Sequence, residues 1–371
     1  MIPLFLSPIF GVSTSKFASE ARGKKDFREF DFVVGLNFWL FLSVSLIFSG
    51  GFFFFIPTMA SQFNADIALF YWGPIIILFT STYLFFKRIF FVLDKFKSYA
   101  LLETITAVLF FVLLILCIHL KAYKWLLLPL VIQLGIFSTV SFFLFYKHLM
   151  HLHWIKGLKH YREKLWDFFK YSMITGLGTA LTVVSMHLFT LVLGGVADIR
   201  SVGYFALVRS TVEPANYLFR VITMVNFPKI AYIYGTGNLI RLKDYMQQNI
   251  KKFLKLISLA FIPAIFLSPF ISSALFGLKH PASLSWLLAS LLITYYLRTL
   301  SVFHVNFLSA TRYPLIPNIT GPLAVILVVP LIPVVFLHFG LEGLGILILT
   351  GELIRFTIVT VMGHNKLKKL A

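Results

Sequence analysis

The sequence predicts an all-α polytopic membrane protein with about ten full transmembrane helices plus a partial first one, built as two parallel-repeat helical lobes. Three observations predict it. Apolar residues make up 59% of the chain and charged residues only 13%, where a soluble domain carries roughly 45–50% and about 25%. Ten apolar runs are long enough to cross a bilayer. Finally, two pairs of segments repeat at nearly one offset.

The opening residues MIPLFLSPIFGV are apolar for fewer than the ~20 positions a span needs. No Lys or Arg precedes them, so they make a poor signal peptide. Ten spans follow, at 33–56, 67–86, 101–118, 125–146, 172–193, 202–228, 253–276, 284–308, 314–338 and 341–362. Their length, and the need to satisfy every backbone group internally, make them helices rather than barrel strands. Aromatic residues mark many ends, as an interfacial belt should. Tyr71 and Trp72 lie at the start of the second span, Trp125 and Tyr146 bound the fourth, Trp166 and Tyr171 precede the fifth, and Trp286 opens the eighth.

Charge sets the orientation. Segments 13–32, 87–100, 147–171, 229–255, 309–313 and 363–371 hold five, four, six, six, one and three of the 33 Lys and Arg. The alternate loops hold only Lys121, Lys124, Arg200 and Lys279, and Arg209, Arg220, Arg298 and Arg355 lie within spans. The first set is therefore cytoplasmic, C-terminus included. The net charge of +19 is spread through these loops, which suits anionic lipid. A nucleic-acid partner would need it gathered on one soluble face. The outside loops are too short to hold a catalytic domain. Cys117 is the only cysteine, so no internal disulfide forms.

SKFASEARGKKDFREFDF (15–32) aligns with PKIAYIYGTGNLIRLKDY (228–245), pairing Lys16 with Lys229, Ala18 with Ala231 and Arg28 with Arg241. KSYALLETI (97–105) aligns with RYPLIPNIT (312–320) at almost the same offset. An even number of helices separates the copies, so the halves are parallel repeats. The expected organisation is an N-terminal lobe at 1–150, a basic cytoplasmic linker at 151–171, and a C-terminal lobe at 172–371. Met1 then corresponds to Pro214, and MIPLFLSPIFGV is the tail of a helix. The expectation is a chain lacking about one and a half helices at its start, through truncation of the reading frame or through divergence.

The second half carries a resemblance. KLWDFFKYSMITGLGTAL leads into 172–193, followed by LGGVADIRSVGYFALVRSTVEPANYLFRVITMVNFPKIAYIYGTGN. LSATRYPLIPNI and FGLEGLGILILTGELIRF follow later. These resemble the Wzx-type flippases of lipid-linked oligosaccharides in the MATE/MOP superfamily. The likeness is one of hydropathy and small motifs over essentially the whole chain. It implies a MOP-like, twelve-helix transporter of two six-helix lobes around a cavity that opens alternately to either side. It also implies a bacterial or archaeal cell membrane, a prenyl-pyrophosphate-linked glycan as cargo, and polysaccharide polymerase or export machinery as partners. The sequence departs from it in the missing first helix and most of the second.

Ionisable groups inside spans are functional candidates. At about 100° per residue, Arg209, Glu213, Asn216 and Arg220 fall within roughly 60° of one another. They form one polar stripe on an apolar helix, and Pro214 removes a backbone donor beside Glu213. Two readings stand side by side. In one the stripe lines a cavity; in the other Arg209 and Glu213 neutralise each other as an i,i+4 pair while Arg220 snorkels. Arg298, Glu352 and Arg355 add to the cavity reading, although Glu352 and Arg355 also fit a structural i,i+3 pair. His187 and His304 suit packing or hydrogen bonding. Glu213, Glu352 and His187 are the candidates for ion coupling. Four arginines against two glutamates make a cationic cavity, which suits pyrophosphate because guanidinium grips phosphate oxygens bidentately.

Other motifs carry less. HLMHLHW (148–154) brings three histidines together at the cytoplasmic interface without an acidic partner, and reads as interfacial rather than metal-binding. GTGN (235–238) lacks the strand and the G-K-[ST] of a phosphate loop. It reads as the break between span 202–228 and a basic amphipathic surface helix at 239–252. No cofactor and no catalytic constellation is expected. The competing functions are a cation-coupled drug antiporter or a lipid II flippase of the same superfamily, and, from another class, a membrane-embedded lipid-sugar enzyme.

Overall fold

The computed structural model describes residues 7–63, 67–150, 162–276 and 282–369. No strand occurs among the described residues. The chain forms two compact units, Met1–Gly176 and Leu177–Ala371.

The first unit opens on a π-helical turn, Ser7–Val12, that runs into α1 (Ser13–Gly23). Three consecutive hydroxyls here, those of Ser13, Thr14 and Ser15, are buried. Ser13 and Thr14 donate to the Phe10 carbonyl and Ser15 to that of Gly11, so each satisfies itself within the helix. Lys25, at φ +60°, turns the chain. The Asp26 carboxylate then caps α2 (Phe27–Phe63) by accepting from the Glu29 amide at 2.9 Å. A single turn, Ile67–Phe70, leads to α3 (Trp72–Val92), followed by α4 (Phe96–His119) and α5 (Leu128–Met150).

The core of this unit is aromatic. Phe38 and Phe41 of α2, Phe85, Phe86 and Phe90 of α3, and Phe137 and Phe145 of α5 are buried together. Phe90 meets Phe145 edge-on with centroids 4.8 Å apart, and Tyr83 meets Phe137 at 4.7 Å, the edge-to-face geometry that ring quadrupoles favour. In contrast, α4 buries only Thr106 and exposes Leu101, Ile105, Phe111 and Ile115. An apolar face of that extent has hydrocarbon, not water, as its solvent.

The second unit takes the C-terminal part of α6 (Arg162–Val196), then α7 (Ile199–Gly235), α8 (Leu239–Phe266), α9 (Ser268–Phe276), α10 (Ala282–Ala310), α11 (Leu315–Val328) and α12 (Ile332–Lys368). Asp198 caps α7 by accepting from the Ser201 amide at 3.2 Å, and hydrogen bonding from Ser201, its side chain first and its amide second, holds the carboxyl below the usual carboxylate range. The central helix is α10, with most of its residues buried against α7, α8, α11 and α12.

Several boundaries differ from expectation. The stretch 239–252 is not a separate surface helix. Asn238 caps α8 by accepting from the Arg241 amide at 2.8 Å, and α8 then runs unbroken through residues 252 and 253 to Phe266. Amphipathicity marks where a helix changes surroundings, whereas its end needs a backbone cause. That cause comes at Leu267, where the chain bends by 63° into α9, and Pro269 has no N–H to continue the ladder. The expected span 314–338 is also divided, with a 3₁₀ turn at Val329–Leu331 between α11 and α12. A second break lies inside α12 at Gly340, whose φ of +56° and ψ of −144° suit a residue without Cβ. Of the expected linker, residues 162–171 are the first turns of α6, and 151–161 lie outside the described residues.

On length and composition, six helices among the described residues could cross a membrane, or seven if α8 and α9 count as one bent span. The stretch Leu315–Lys368 enters that count once, although it covers two of the expected spans. Helix α7, diluted by Arg209, Glu213, Asn216 and Arg220, is not among them.

One feature recurs in both units. Lys25 and Gly237 are left-handed turn residues between consecutive helices and lie 212 positions apart. Pro57 and Pro269 are separated by the same interval, yet α2 stays helical through Pro57 while the second unit bends.

Candidate functional site

A cavity of about 470 Å³ lies within the second unit, a size typical of small-molecule sites. Among the described residues, five helices wall it. Helix α10 supplies Leu291, Thr294, Tyr295 and Arg298, and α12 supplies Ile348, Gly351, Glu352 and Arg355. Both sets follow the i, i+3/i+4, i+7 spacing of one helical face. Helix α11 adds the stripe Pro317, Asn318, Gly321, Ala324, Val325 and Val328; α6 adds Gly178, Thr179 and Phe189. From α7 come Phe205, Arg209, Glu213, Asn216, Phe219 and Arg220. The seven residues singled out from sequence as cavity-lining (Arg209, Glu213, Asn216, Arg220, Arg298, Glu352 and Arg355) all line this one space.

Two glycines let the walls approach. A Cβ at Gly178 would lie 2.6 Å from the Asn318 Cβ and 2.8 Å from its carbonyl oxygen, and one at Gly351 would lie 2.8 Å from Val328 Cγ2. These contacts seat α6 and α12 against α11, which brings the face carrying Glu352 and Arg355 to the cavity.

The polar groups are not equivalent. Glu352, 5% exposed, accepts from Arg298 Nη2 at 3.0 Å through Oε2 and from Arg355 Nη1 through Oε1. The Arg298 and Arg355 side chains are 20% and 12% exposed. The i,i+3 pair therefore forms, but as part of a buried triad with a second helix. Arg298 also lies over the Tyr295 ring, 5.5 Å from its centroid. The stripe on α7 is looser. Arg209 Nη1 reaches Thr190 Oγ1 at 3.4 Å, and Arg220 lies 5.6 Å from the Tyr217 centroid. Glu213 and Arg220 are exposed. No Arg209–Glu213 ion pair occurs among the described residues, so the self-neutralising reading of this pair is not what the structure holds.

The side chain of His187 lies outside the described residues. His304 is not in the cavity; it is buried, and a Cβ on Gly363 would come within 2.7 Å of its ring, which makes it a packing residue. His148 does have an acidic partner, contrary to the sequence reading: its Nδ1 lies 2.8 Å from Asp31 Oδ1. That partner is 117 residues away, beyond any local inspection. His151 and His153 lie outside the described residues, and no metal-ligating group of three occurs among the described ones. Sequence reasoning missed the polar and aromatic lining of Thr294, Tyr295, Asn318, Phe189 and Phe205. The repeated spacing of Pro317, Asn318, Gly321 and Ala324 was the available signal for the α11 face.

No family model matches the chain, and no curated protein matches it. Solved structures do. A variant of a MATE transporter from Vibrio cholerae superposes with a TM-score of 0.78 at 14% identity, over 99% of this chain and 87% of that one. A multidrug-resistance MATE-family transporter of the MOP superfamily, in an outward-facing conformation, gives 0.74 at 18% identity over 99% and 85%. A MATE protein in a bent conformation gives 0.72 at 17% over 100% and 85%. At such identities the likeness is one of architecture, and the chain has the fold of the MATE transporters of the MOP superfamily.

Proposed function

We propose that the protein is a membrane transporter that flips a prenyl-pyrophosphate-linked oligosaccharide from the cytoplasmic to the outer leaflet of the cell membrane by alternating access. The observation that carries this reading is the cavity lining: four arginines and two glutamates, with one glutamate already bound to two of the arginines. An anionic headgroup is the cargo such a lining attracts. Guanidinium forks match the geometry of phosphate oxygens, and inside an apolar wall their field is weakly screened.

In this mechanism the arginines of α7 meet the diphosphate first, because Arg220 is exposed and lies toward the basic, cytoplasmic end of α7. Arg298 and Arg355 hold it deeper, and the prenyl tail stays in lipid. Thr294, Asn216 and Asn318 supply hydrogen-bonding groups within reach of the sugar. Glu213, which lines the cavity without an ion-pair partner among the described residues, is the carboxylate open to a coupling proton or cation. Polysaccharide polymerase or export machinery is the partner that would receive the product.

A drug antiporter is the second reading, and the multidrug-resistance neighbour supports it. A cationic drug, however, would meet an excess of like charge in this cavity. A lipid II flippase would share the diphosphate chemistry. The test uses Arg209→Ala, Arg220→Ala and Arg298→Ala in cells that depend on this chain for glycan export. Loss of export in at least Arg298→Ala is expected. Unchanged export in all three would sink the cationic-cavity reading.

A further inference from the structure

We infer that Glu352 is a resident stand-in for the cargo's phosphate: it occupies guanidinium positions that an anionic headgroup needs, and the cargo binds by displacing it. The inference rests on the reading of this cavity as a diphosphate site and adds how the site is kept empty and how it lets go.

The geometry points to exchange rather than simple structural pairing. A carboxylate and a phosphate present similar oxygen pairs to a guanidinium. Glu352 uses one nitrogen of Arg298 at 3.0 Å and one of Arg355, while each guanidinium carries five donors. The carboxylate is the most buried of the three groups, and the arginine side chains are the more exposed. All three groups line the cavity, so a diphosphate can engage the remaining donors of the two arginines and then take those that Glu352 holds.

Two needs of a transporter explain the arrangement. Without Glu352 the empty cavity would bury two uncompensated arginines, which is strongly destabilising. With both guanidiniums unopposed, a bound diphosphate would be held too tightly to leave. A carboxylate already in place answers both, since it compensates the empty state and competes with the cargo in the loaded one. Glu213 does not serve here, because it forms no ion pair with any described arginine.

The test compares the purified full chain with Glu352→Gln, Glu352→Asp and Arg298→Gln, using farnesyl diphosphate and inorganic diphosphate as probes. Removing a competing ligand should tighten binding by about tenfold in Glu352→Gln, within the usual range for coupled sites. The ligand-free variant should melt below the wild type, and saturating probe should raise its melting temperature by more than it raises that of the wild type. Glu352→Asp, whose shorter carboxylate competes less well, should also bind more tightly and guards against a glutamine variant that fails to fold. Arg298→Gln should bind both probes more weakly. The tightening must appear with both probes, because the exchange takes place at the phosphate; tightening with the farnesyl compound alone overturns it. Wild-type binding with equal or weaker binding in both Glu352 variants overturns the stand-in role and leaves the diphosphate cavity in place. Failure of the wild type and of every variant to bind either probe removes the diphosphate reading, and the stand-in role with it.

Discussion

In the N-terminal unit, α3 and α5 meet through phenylalanine rings and one pair of hydroxyls, Thr82 and Ser138, 2.9 Å apart. In the C-terminal unit, α10 and α12 meet across two arginines and a glutamate. The sequence repeat sets α3 against α10 and α5 against α12, so the same type of helix contact has been built from opposite chemistry. Rings and hydroxyls hold helices together with little desolvation penalty. A buried triad of ions is a poor way to gain stability, because apolar residues of equal volume often do as well or better. Its presence in only one of the two contacts therefore argues for a ligand rather than for the fold.

The sharpest way to break that contrast is to remove charge from the triad in two ways. Arg298→Met leaves Glu352 with a single partner and should lower unfolding stability by about 3–5 kcal/mol. The triple change Arg298→Met, Glu352→Leu and Arg355→Met should restore stability to near wild type or above it, yet abolish diphosphate binding. Thermal unfolding and ligand binding measured on the same samples decide it. If the triple variant is as unstable as the single one, the triad is structural and the contrast fails.

Next in size is the aromatic core. Phe90 is fully buried between Phe137, Phe145 and Tyr99. Phe90→Ala should cost about 3–4 kcal/mol through lost contacts and the cavity left behind. Its effect should be on stability alone, with the affinity of the second unit's cavity for farnesyl diphosphate unchanged. A loss of affinity comparable to that of Arg298→Met would mean that the two units do not divide labour in this way.

These particulars also show what one chain can and cannot disclose. Arg209, Glu213, Asn216 and Arg220 were legible as a stripe because they share a single helix, where 3.6 residues per turn turns spacing into geometry. The partnership of Arg298 with Glu352 was not, because it joins two helices across 54 residues and no periodicity relates them. The same holds for His148 with Asp31 and for Thr82 with Ser138. Spans were legible from apolar length, but helices outlast their apolar windows, as α8 does by continuing from its basic face into its apolar one. Breaks at Leu267 and Gly340 depend on backbone geometry that composition does not report.

A third prediction concerns pH and the first unit. Lys16 is buried in α1, with its Nζ 4.4 Å from the Tyr171 ring centroid and 4.8 Å from that of Phe17. Burial pushes its pKa down to about 8, against the pull of Glu20 and Asp167, while Lys24 adds to the lowering. The unfolded chain therefore holds a proton that the folded one has lost between about pH 8 and 10.5, so this group makes stability rise with pH across that window. Below pH 8 the penalty is fully present, at most on the order of 3 kcal/mol. Lys16→Met should raise the melting temperature at pH 7 and flatten the profile between pH 8 and 10. An unchanged profile would show that Lys16 is hydrated in the folded protein.

The smallest effect tests the other side of the comparison. Thr82 Oγ1 is shared between Ser138 Oγ at 2.9 Å and the carbonyls of Leu78 and Phe79 at 3.2 and 3.1 Å. Thr82→Val replaces a hydroxyl by a methyl group of similar volume. Ser138 keeps a bond of its own to the Phe79 carbonyl at 3.4 Å, so no buried donor is orphaned. The expected loss is about 0.5–1 kcal/mol, as for other hydrogen bonds between membrane helices. That is several-fold below the Arg298→Met effect at the repeat-related contact. The ratio of the two, read by thermal unfolding under one set of conditions, measures how much more charge the second unit carries than its helix packing requires. A Thr82→Val loss as large as that of Arg298→Met would make both contacts structural and remove the reason to look for an anion at one of them.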